Sequence, residues 1–196
     1  YIGERKAGTV GRVLEDVEIR IADLEIEDEV KKNGDIGVVE VKGPNVCKGY
    51  WKQPEKTKSE FRDDGYFITG DMGFLDQDNY LTIVGRNKDL IITGGLNVYP
   101  KEIETVIDQD SKVDESAVIG VSHPDFGEGI LAIIVEKKGH RINIDVLNET
   151  LRKNLAAFKL PKKIHVIKEL PRNSMGKVQK NLLRDLYRDE FSDTNK

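Results

Sequence analysis

The chain has 196 residues, with 31 Lys and Arg against 35 Asp and Glu for a net charge of −4, and 38% of its positions are hydrophobic. Recurring apolar runs such as Ile130-Leu-Ala-Ile-Ile-Val135 provide a core and exclude wholesale disorder. That run is among the longest present, whereas a membrane-spanning helix needs roughly 20 apolar residues, so no helical span is expected.

In chain order, the first 85 or so residues read as β-rich. Val17-Glu-Ile-Arg-Ile21 and Val39-Glu-Val-Lys42 alternate apolar and polar with period two, as half-buried antiparallel strands do. Asn33-Gly34 supplies a turn between them. A short helix is predicted from Pro54 to about Phe61, because the fixed φ of proline suits the first helical position. Tyr66-Phe-Ile-Thr-Gly-Asp71 reads as a strand that ends at Asp71. Asp76-Gln-Asp-Asn79 reads as the loop of a hairpin between Phe74-Leu75 and Tyr80-Leu-Thr-Ile-Val84. Gly85-Arg-Asn-Lys-Asp89, a glycine followed by four polar residues, has the composition of an exposed linker and hinge.

Beyond it, strands and helices alternate. Leu90-Ile-Ile92 leads through Gly94-Gly95 to a helix opening at Pro100, with Ile103, Val106 and Ile107 as its apolar stripe. Strands follow over 117–121 and 130–135, then a helix carrying Ile144, Leu147, Leu151 and Leu155, a stop at Pro161 and a strand over 164–167. A last helix is predicted to place Leu182, Leu183, Leu186, Tyr187 and Phe191 on one side. The fold class is α+β: a β-rich piece over residues 1–87 and a small α/β domain over residues 88–196.

Between Arg152 and Arg188 there are 11 Lys and Arg but only two acids, Glu169 and Asp185, leaving about −13 for the remainder. This segment is a solvated face or a site for a polyanion such as a nucleotide, and composition does not separate the two. Trp51 and Tyr50 read as packing residues, and the basic stretch lacks the interleaved aromatics of single-strand binders, so no nucleic-acid role is expected. The single Cys47 cannot form an internal disulfide, and no Cys/His cluster has zinc spacing. A reducing cytoplasmic setting, or the mitochondrial matrix in a eukaryote, is expected. Tyr1 and the residues after it carry no signal or transit composition, and the sequence reads as beginning mid-protein.

Three stretches have chemistry to offer. Asp71, beside Gly70, has two carboxylate oxygens that can accept both hydroxyls of a ribose, although Gly-Asp is also ordinary turn chemistry. Lys177 closes Pro171-Arg-Asn-Ser-Met-Gly-Lys177, a loop of turn formers from which a cation can meet charge developing on a phosphate. Gly94-Gly95 lets backbone pass close to a narrow ligand. There is no Walker loop, no Rossmann fingerprint, and no serine elbow or histidine triad, so hydrolase chemistry has no support.

Taken in order, Gly37 to Gly43, Gly49-Tyr-Trp51 with Pro54-Glu55, Tyr66 to Asp71, Gly85 to Asp89, Gly94 to Glu104 and Pro171 to Lys177 resemble the adenylate-forming superfamily of acyl-CoA synthetases, luciferases and peptide-synthetase adenylation domains. The stretches from Asn97 to Glu104, His123-Pro-Asp-Phe-Gly-Glu128 and Leu170 to Lys180 are most similar to malonyl-CoA synthetases. The resemblance implies the end of a large ATP- and acid-binding domain followed by a small mobile lid. It also implies two half-reactions: a carboxylate, here malonate, attacks ATP to give acyl-AMP and pyrophosphate, and CoA then displaces AMP.

Carried over by position, Asp71 would bind the ribose of ATP, Arg86 the ribose or phosphates, and Lys177 the carboxylate and α-phosphate during adenylation. Lys88 would be the hinge, and Gly94 and Gly95 would line the pantetheine tunnel. Phe126 and Phe158 would lie near the CoA nucleotide, with Lys159 or Lys163 at its phosphates; Leu160 departs from relatives that have arginine there. Lys177 would be the target of a lysine acetyltransferase, which would remove its charge. The phosphate-binding loop, the Mg2+ ligands and most of the acid pocket lie upstream of these residues in relatives, so the 196 residues alone are expected to be inactive. A ligase for a fatty or aryl acid, another adenylation domain, and a stand-alone nucleotide- or CoA-binding module remain as alternatives.

Overall fold

A computed structural model describes residues 4–192, apart from 24, 25, 27 and 28. The chain divides into two compact units, Tyr1–Lys88 and Asp89–Lys196.

In the first unit the alternating segments form one antiparallel sheet. Its strands are β1 (Gly11–Arg12), β2 (Glu18–Ala22), β3 (Gly37–Lys42), β4 (Phe67–Leu75) and β5 (Tyr80–Arg86), in the order β1-β5-β4-β3-β2. Ile21, Val39 and Leu81 are its buried apolar centre, with Ile19, Val41, Leu75 and Ile83 against them. Glu40, on β3, is fully buried, and its two carboxylate oxygens accept from Arg20 Nε at 2.7 Å and Arg62 Nε at 2.8 Å. A desolvated carboxylate is tolerated there because both oxygens meet guanidinium groups. Helix α1 (Pro54–Glu60) starts at its proline and buries none of its residues. Trp51 is 85% exposed, which corrects the expectation that it packs.

The strand at Asp71 does not end there, as the sequence suggests, but runs on to Leu75. Val38 pairs with Met72 and Glu40 with Ile68, so Val39 alone faces Thr69, Gly70 and Asp71. Gly70 absorbs this bulge at φ +72°, a region that glycine enters without a Cβ penalty. Thr69 Oγ1 donates to Val39 O at 2.7 Å and accepts from Asp71 N at 3.0 Å, replacing the missing ladder bonds.

The second unit is a sheet between helices. Its strands are β6 (Ile91–Thr93), β7 (Leu96–Val98), β8 (Val113–His123), β9 (Gly127–Glu136) and β10 (Lys163–Ile167); its helices are α2 (Pro100–Ile107), α3 (Ile144–Asn154) and α4 (Lys180–Leu186). The strand path is β10-β9-β6-β7, with β8 also on β9 and β10 parallel to β9. The run 130–135 is continuously apolar because β9 is covered on both faces. Ile130, Ala132 and Ile134 meet Ile103 and Ile107 of α2 and Leu147 and Leu151 of α3, while Leu131, Ile133 and Val135 share the opposite core with Leu170 and Leu183. Asn143 caps α3, its Oδ1 accepting from Asp145 N and Val146 N. That helix ends at Asn154, well before Pro161, where Leu155 turns extended.

The last helix is shorter than its periodicity predicts, ending at Leu186. Leu182 and Leu186 are exposed and only Leu183 is buried, because Tyr187 and Phe191 reach the core from the turns that follow. The sequence also misses β7, a three-residue strand whose only signal is the glycine pair before it. No helix among the described residues is long and apolar enough to cross a membrane.

Candidate functional site

Asp71 and Arg86 face each other across β4 and β5, and Arg86 Nε lies 3.0 Å from Asp71 Oδ1. The bulge turns the carboxylate outward, leaving its side chain 31% exposed beside a guanidinium that is 54% exposed. Oδ2 has no partner among the described residues. The pair therefore presents an open carboxylate oxygen and guanidinium donors together, the equipment for a hydroxyl and an anionic oxygen. Arg86 ends β5, and a single 3-10 turn, Asn87–Asp89, carries the exposed Lys88. The linker is thus shorter than its composition implies. Within the second unit, Asp89 is held by Arg184 at 2.7 Å.

Lys177 ends a closed loop. Arg172 bridges to Val178 across it, Asn173 N donates to Lys177 O at 3.0 Å, and Gly176 N donates to Asn173 O at 2.9 Å with Gly176 at φ +78°. The Asn173 side chain fills the turn, its Oδ1 accepting from Met175 N at 3.0 Å and Lys177 N at 2.9 Å. Arg172 donates to Gly176 O at 2.6 Å and pairs with Glu115 on β8. Lys180, three residues beyond Lys177, reaches the buried Glu104 carboxylate of α2 at 2.6 Å, which also accepts Val118 N. Both ends of the loop are thus tethered. The Lys177 ammonium itself is exposed and has no hydrogen bond or ion pair among the described residues, so a rigid loop offers a free cation.

Gly94 and Gly95 form the two-residue turn between β6 and β7. Their φ angles of +57° and +77° are those of a primed hairpin turn, which accounts for the glycine pair. Gly94 N donates to Phe126 O at 2.9 Å, so the structure joins two residues that the sequence places 32 positions apart. Phe126 and Phe158 are 39% and 38% exposed. The two lysines expected at phosphates are occupied: Lys159 pairs with Glu102 at 2.7 Å, and Lys163 with Glu190 at 2.9 Å. The free cation at this place is Lys162, whose Nζ lies 4.4 Å from the Phe126 ring centre and which has no ion pair among the described residues. Sequence reasoning missed it, since nothing local distinguishes Lys162 from its neighbour Lys163. Asn173 and Arg172 were likewise read only as turn formers.

No group of three or more metal-ligating side chains occurs among the described residues. Residues 102–177 match the family model described as the AMP-binding enzyme C-terminal domain, a segment that ends on Lys177. The chain belongs to the adenylate-forming superfamily. It is 38% identical to 2-succinylbenzoate–CoA ligase of Geobacillus sp. (strain WCH70), over 92% of this chain and 36% of that one. It is 39% identical to malonate–CoA ligase of Arabidopsis thaliana, over 93% and 31%. Among solved structures, ATP-bound MatB from Rhodopseudomonas palustris matches with a TM-score of 0.91 and 56% identity, over 98% of this chain and 38% of that one. The chain therefore spans about a third of the length of the curated relatives it matches.

Within the chain, the matched segment contains Lys177, Phe126, Phe158 and Lys159, together with Arg172 and Asn173 that brace the lysine loop. Asp71, Arg86, Lys88 and the glycine pair lie before it.

Proposed function

We propose that this chain is the carboxyl-terminal portion of an AMP-forming acid–CoA ligase that converts malonate, ATP and CoA to malonyl-CoA, AMP and pyrophosphate through malonyl-AMP. The observation that carries the reading is the free, exposed ammonium of Lys177 on a loop closed by Asn173 and anchored by Arg172 and Lys180. Attack of a carboxylate on the α-phosphate gathers negative charge on oxygens, and a positioned cation stabilises that charge at little reorganisation cost. Asp71 would accept the ribose hydroxyls of ATP while Arg86 steadies an anionic oxygen, and Lys88 would be the hinge for the small unit.

In the second step the Gly94-Gly95 turn would admit the pantetheine arm. Phe126 and Phe158 would lie near the CoA nucleotide, with Lys162 in place of Lys159 or Lys163 as the cation for its phosphates. Malonate is supported by the likeness to MatB, a malonyl-CoA synthetase, and to the Arabidopsis malonate–CoA ligase. Acetylation of Lys177 by a lysine acetyltransferase would abolish the first step by removing the charge. Mg2+ would bind with ATP through groups outside this sequence.

The similarity to 2-succinylbenzoate–CoA ligase favours a second reading, a ligase for an aryl or fatty acid. A substrate panel decides between them: carboxylate-dependent pyrophosphate release by a full-length enzyme carrying this sequence, measured with malonate, 2-succinylbenzoate and long-chain fatty acids. Malonate should give the highest kcat/KM, and preference for another acid would reject malonate while keeping the ligase.

A further inference from the structure

Residues 123–128 form the end of β8, the turn into β9 and its first two positions, and they lie directly against the Gly94-Gly95 turn. Three links tie them to it. Phe126 O accepts Gly94 N–H at 2.9 Å, Gly127 pairs with Thr93, and Glu128 Oε2 accepts Ile92 N–H at 2.7 Å. Strand β6 is three residues long and meets β9 at that one pairing, so the Glu128 carboxylate stands where a neighbouring strand would supply a carbonyl. Gly120 makes room for it, since a Cβ there would lie 2.7 Å from Glu128 Oε1.

His123 braces the same turn. Its Nδ1 accepts Asp125 N–H at 3.1 Å, and its ring lies between Phe126, at 4.7 Å, and Phe191, at 5.1 Å. Phe191 in turn covers Gly129, where a Cβ would be 2.5 Å from the ring. The residues after α4 thus back His123, His123 backs Phe126, and the Phe126 carbonyl and Glu128 carboxylate hold the backbone of the glycine turn.

We infer that Glu128 and His123 are positioning residues for the CoA-dependent step: Glu128 fixes the backbone leading into the Gly94-Gly95 turn, and His123 holds Phe126 against it. The inference rests on the reading that this turn admits the pantetheine arm. Neither residue touches the loop of Lys177, so adenylate formation is independent of both.

The test measures the two half-reactions separately in a full-length enzyme carrying this sequence. Glu128→Ala should raise KM for CoA on the order of tenfold with supplied malonyl-AMP, the scale of one lost hydrogen bond to a charged acceptor, and leave adenylate formation unchanged. Glu128→Gln, which keeps an acceptor oxygen, should restore the CoA step, and amide exchange at Ile92 and Gly94 should be faster in the alanine variant alone. His123→Ala, at a half-buried site outside the core clusters, should show the same selective loss and keeps the test decisive if Glu128→Ala folds poorly. Equal loss of both half-reactions, an unchanged CoA step, or failure of glutamine to restore it overturns the inference. Gly95→Leu separates the two readings. If it leaves the CoA step intact, the turn does not serve CoA and both fall; if it slows that step while Glu128→Ala does not, only the positioning role falls.

Discussion

The side-chain oxygen of Asn173 accepts the backbone N–H of Lys177 at 2.9 Å and that of Met175 at 3.0 Å, so one acceptor fixes the backbone of the residue proposed for the adenylation step. Asn173→Ala removes both bonds and lets the loop sample conformations in which the ammonium is misplaced. Adenylate formation should fall about tenfold for alanine and less for Asn173→Ser, whose hydroxyl makes the same turn more weakly. Thermal midpoints should barely move, because the loop is exposed. Pyrophosphate exchange on the three proteins gives the ranking, and equal rates would remove Asn173 from this role.

Lys177 itself separates the half-reactions. Lys177→Ala should slow acyl-AMP formation by about 10²-fold or more, the scale of losing one group that stabilises developing charge, while supplied malonyl-AMP still reacts with CoA. Single-turnover measurement of each step checks this, and parallel loss of both contradicts the assigned role.

At the Asp71–Arg86 pair, Asp71→Ala removes the carboxylate that would meet the ribose and frees the guanidinium. KM for ATP should rise about tenfold or more, as for loss of a charge-assisted hydrogen bond, with KM for CoA unaffected. Steady-state kinetics with each substrate varied in turn would expose the opposite pattern.

Glu190 gives a pH-dependent contribution to stability. The hydrogen bond from Lys163, and after it His165, hold its carboxyl below the ordinary glutamate range. The folded state then binds fewer protons than the unfolded one, so the contribution is complete above the ordinary range and fades as pH falls through the lowered value. Glu190→Gln should cost about 0.5 kcal/mol at pH 7, as partly exposed ion pairs do. The difference should vanish in acid below the carboxylate range. Denaturant curves of both proteins at neutral and acid pH test this, and a gap that persists in acid counts against it.

The 196-residue chain alone should release no pyrophosphate from ATP and malonate, since no phosphate-binding loop occurs in its sequence. Carboxylate-dependent release from the purified chain would show that these residues suffice for adenylation.

Period-two alternation located β2 and β3, the fixed φ of the proline at position 54 located α1, and the apolar run over 130–135 located β9, which finds cover on both of its faces. The places where the pattern misled are those where a neighbour overrides it. Thr69-Gly70-Asp71 looks like a strand end, yet flanking strands carry the chain through as a bulge. Leu182 and Leu186 extend a helical stripe but stay exposed, since Tyr187 and Phe191 occupy the core instead.

By itself the sequence determined that the chain folds as an α+β protein, where its glycines and prolines must turn, and which ordered motifs align it with the adenylate-forming superfamily. It left open whether the basic stretch from Arg152 to Arg188 is a solvated face or an anion site. Tertiary structure decided which of its charges are paired. Lys159, Arg172, Lys180 and Arg184 find Glu102, Glu115, Glu104 and Asp89, and Lys163 finds Glu190. Lys177 and Lys162 are left without a carboxylate among the described residues, as are Arg152, Lys153 and Lys168. The partners come from 27 to 95 positions away, and a charge is cancelled by whatever carboxylate lies within a few ångströms in space, a distance that no local pattern encodes.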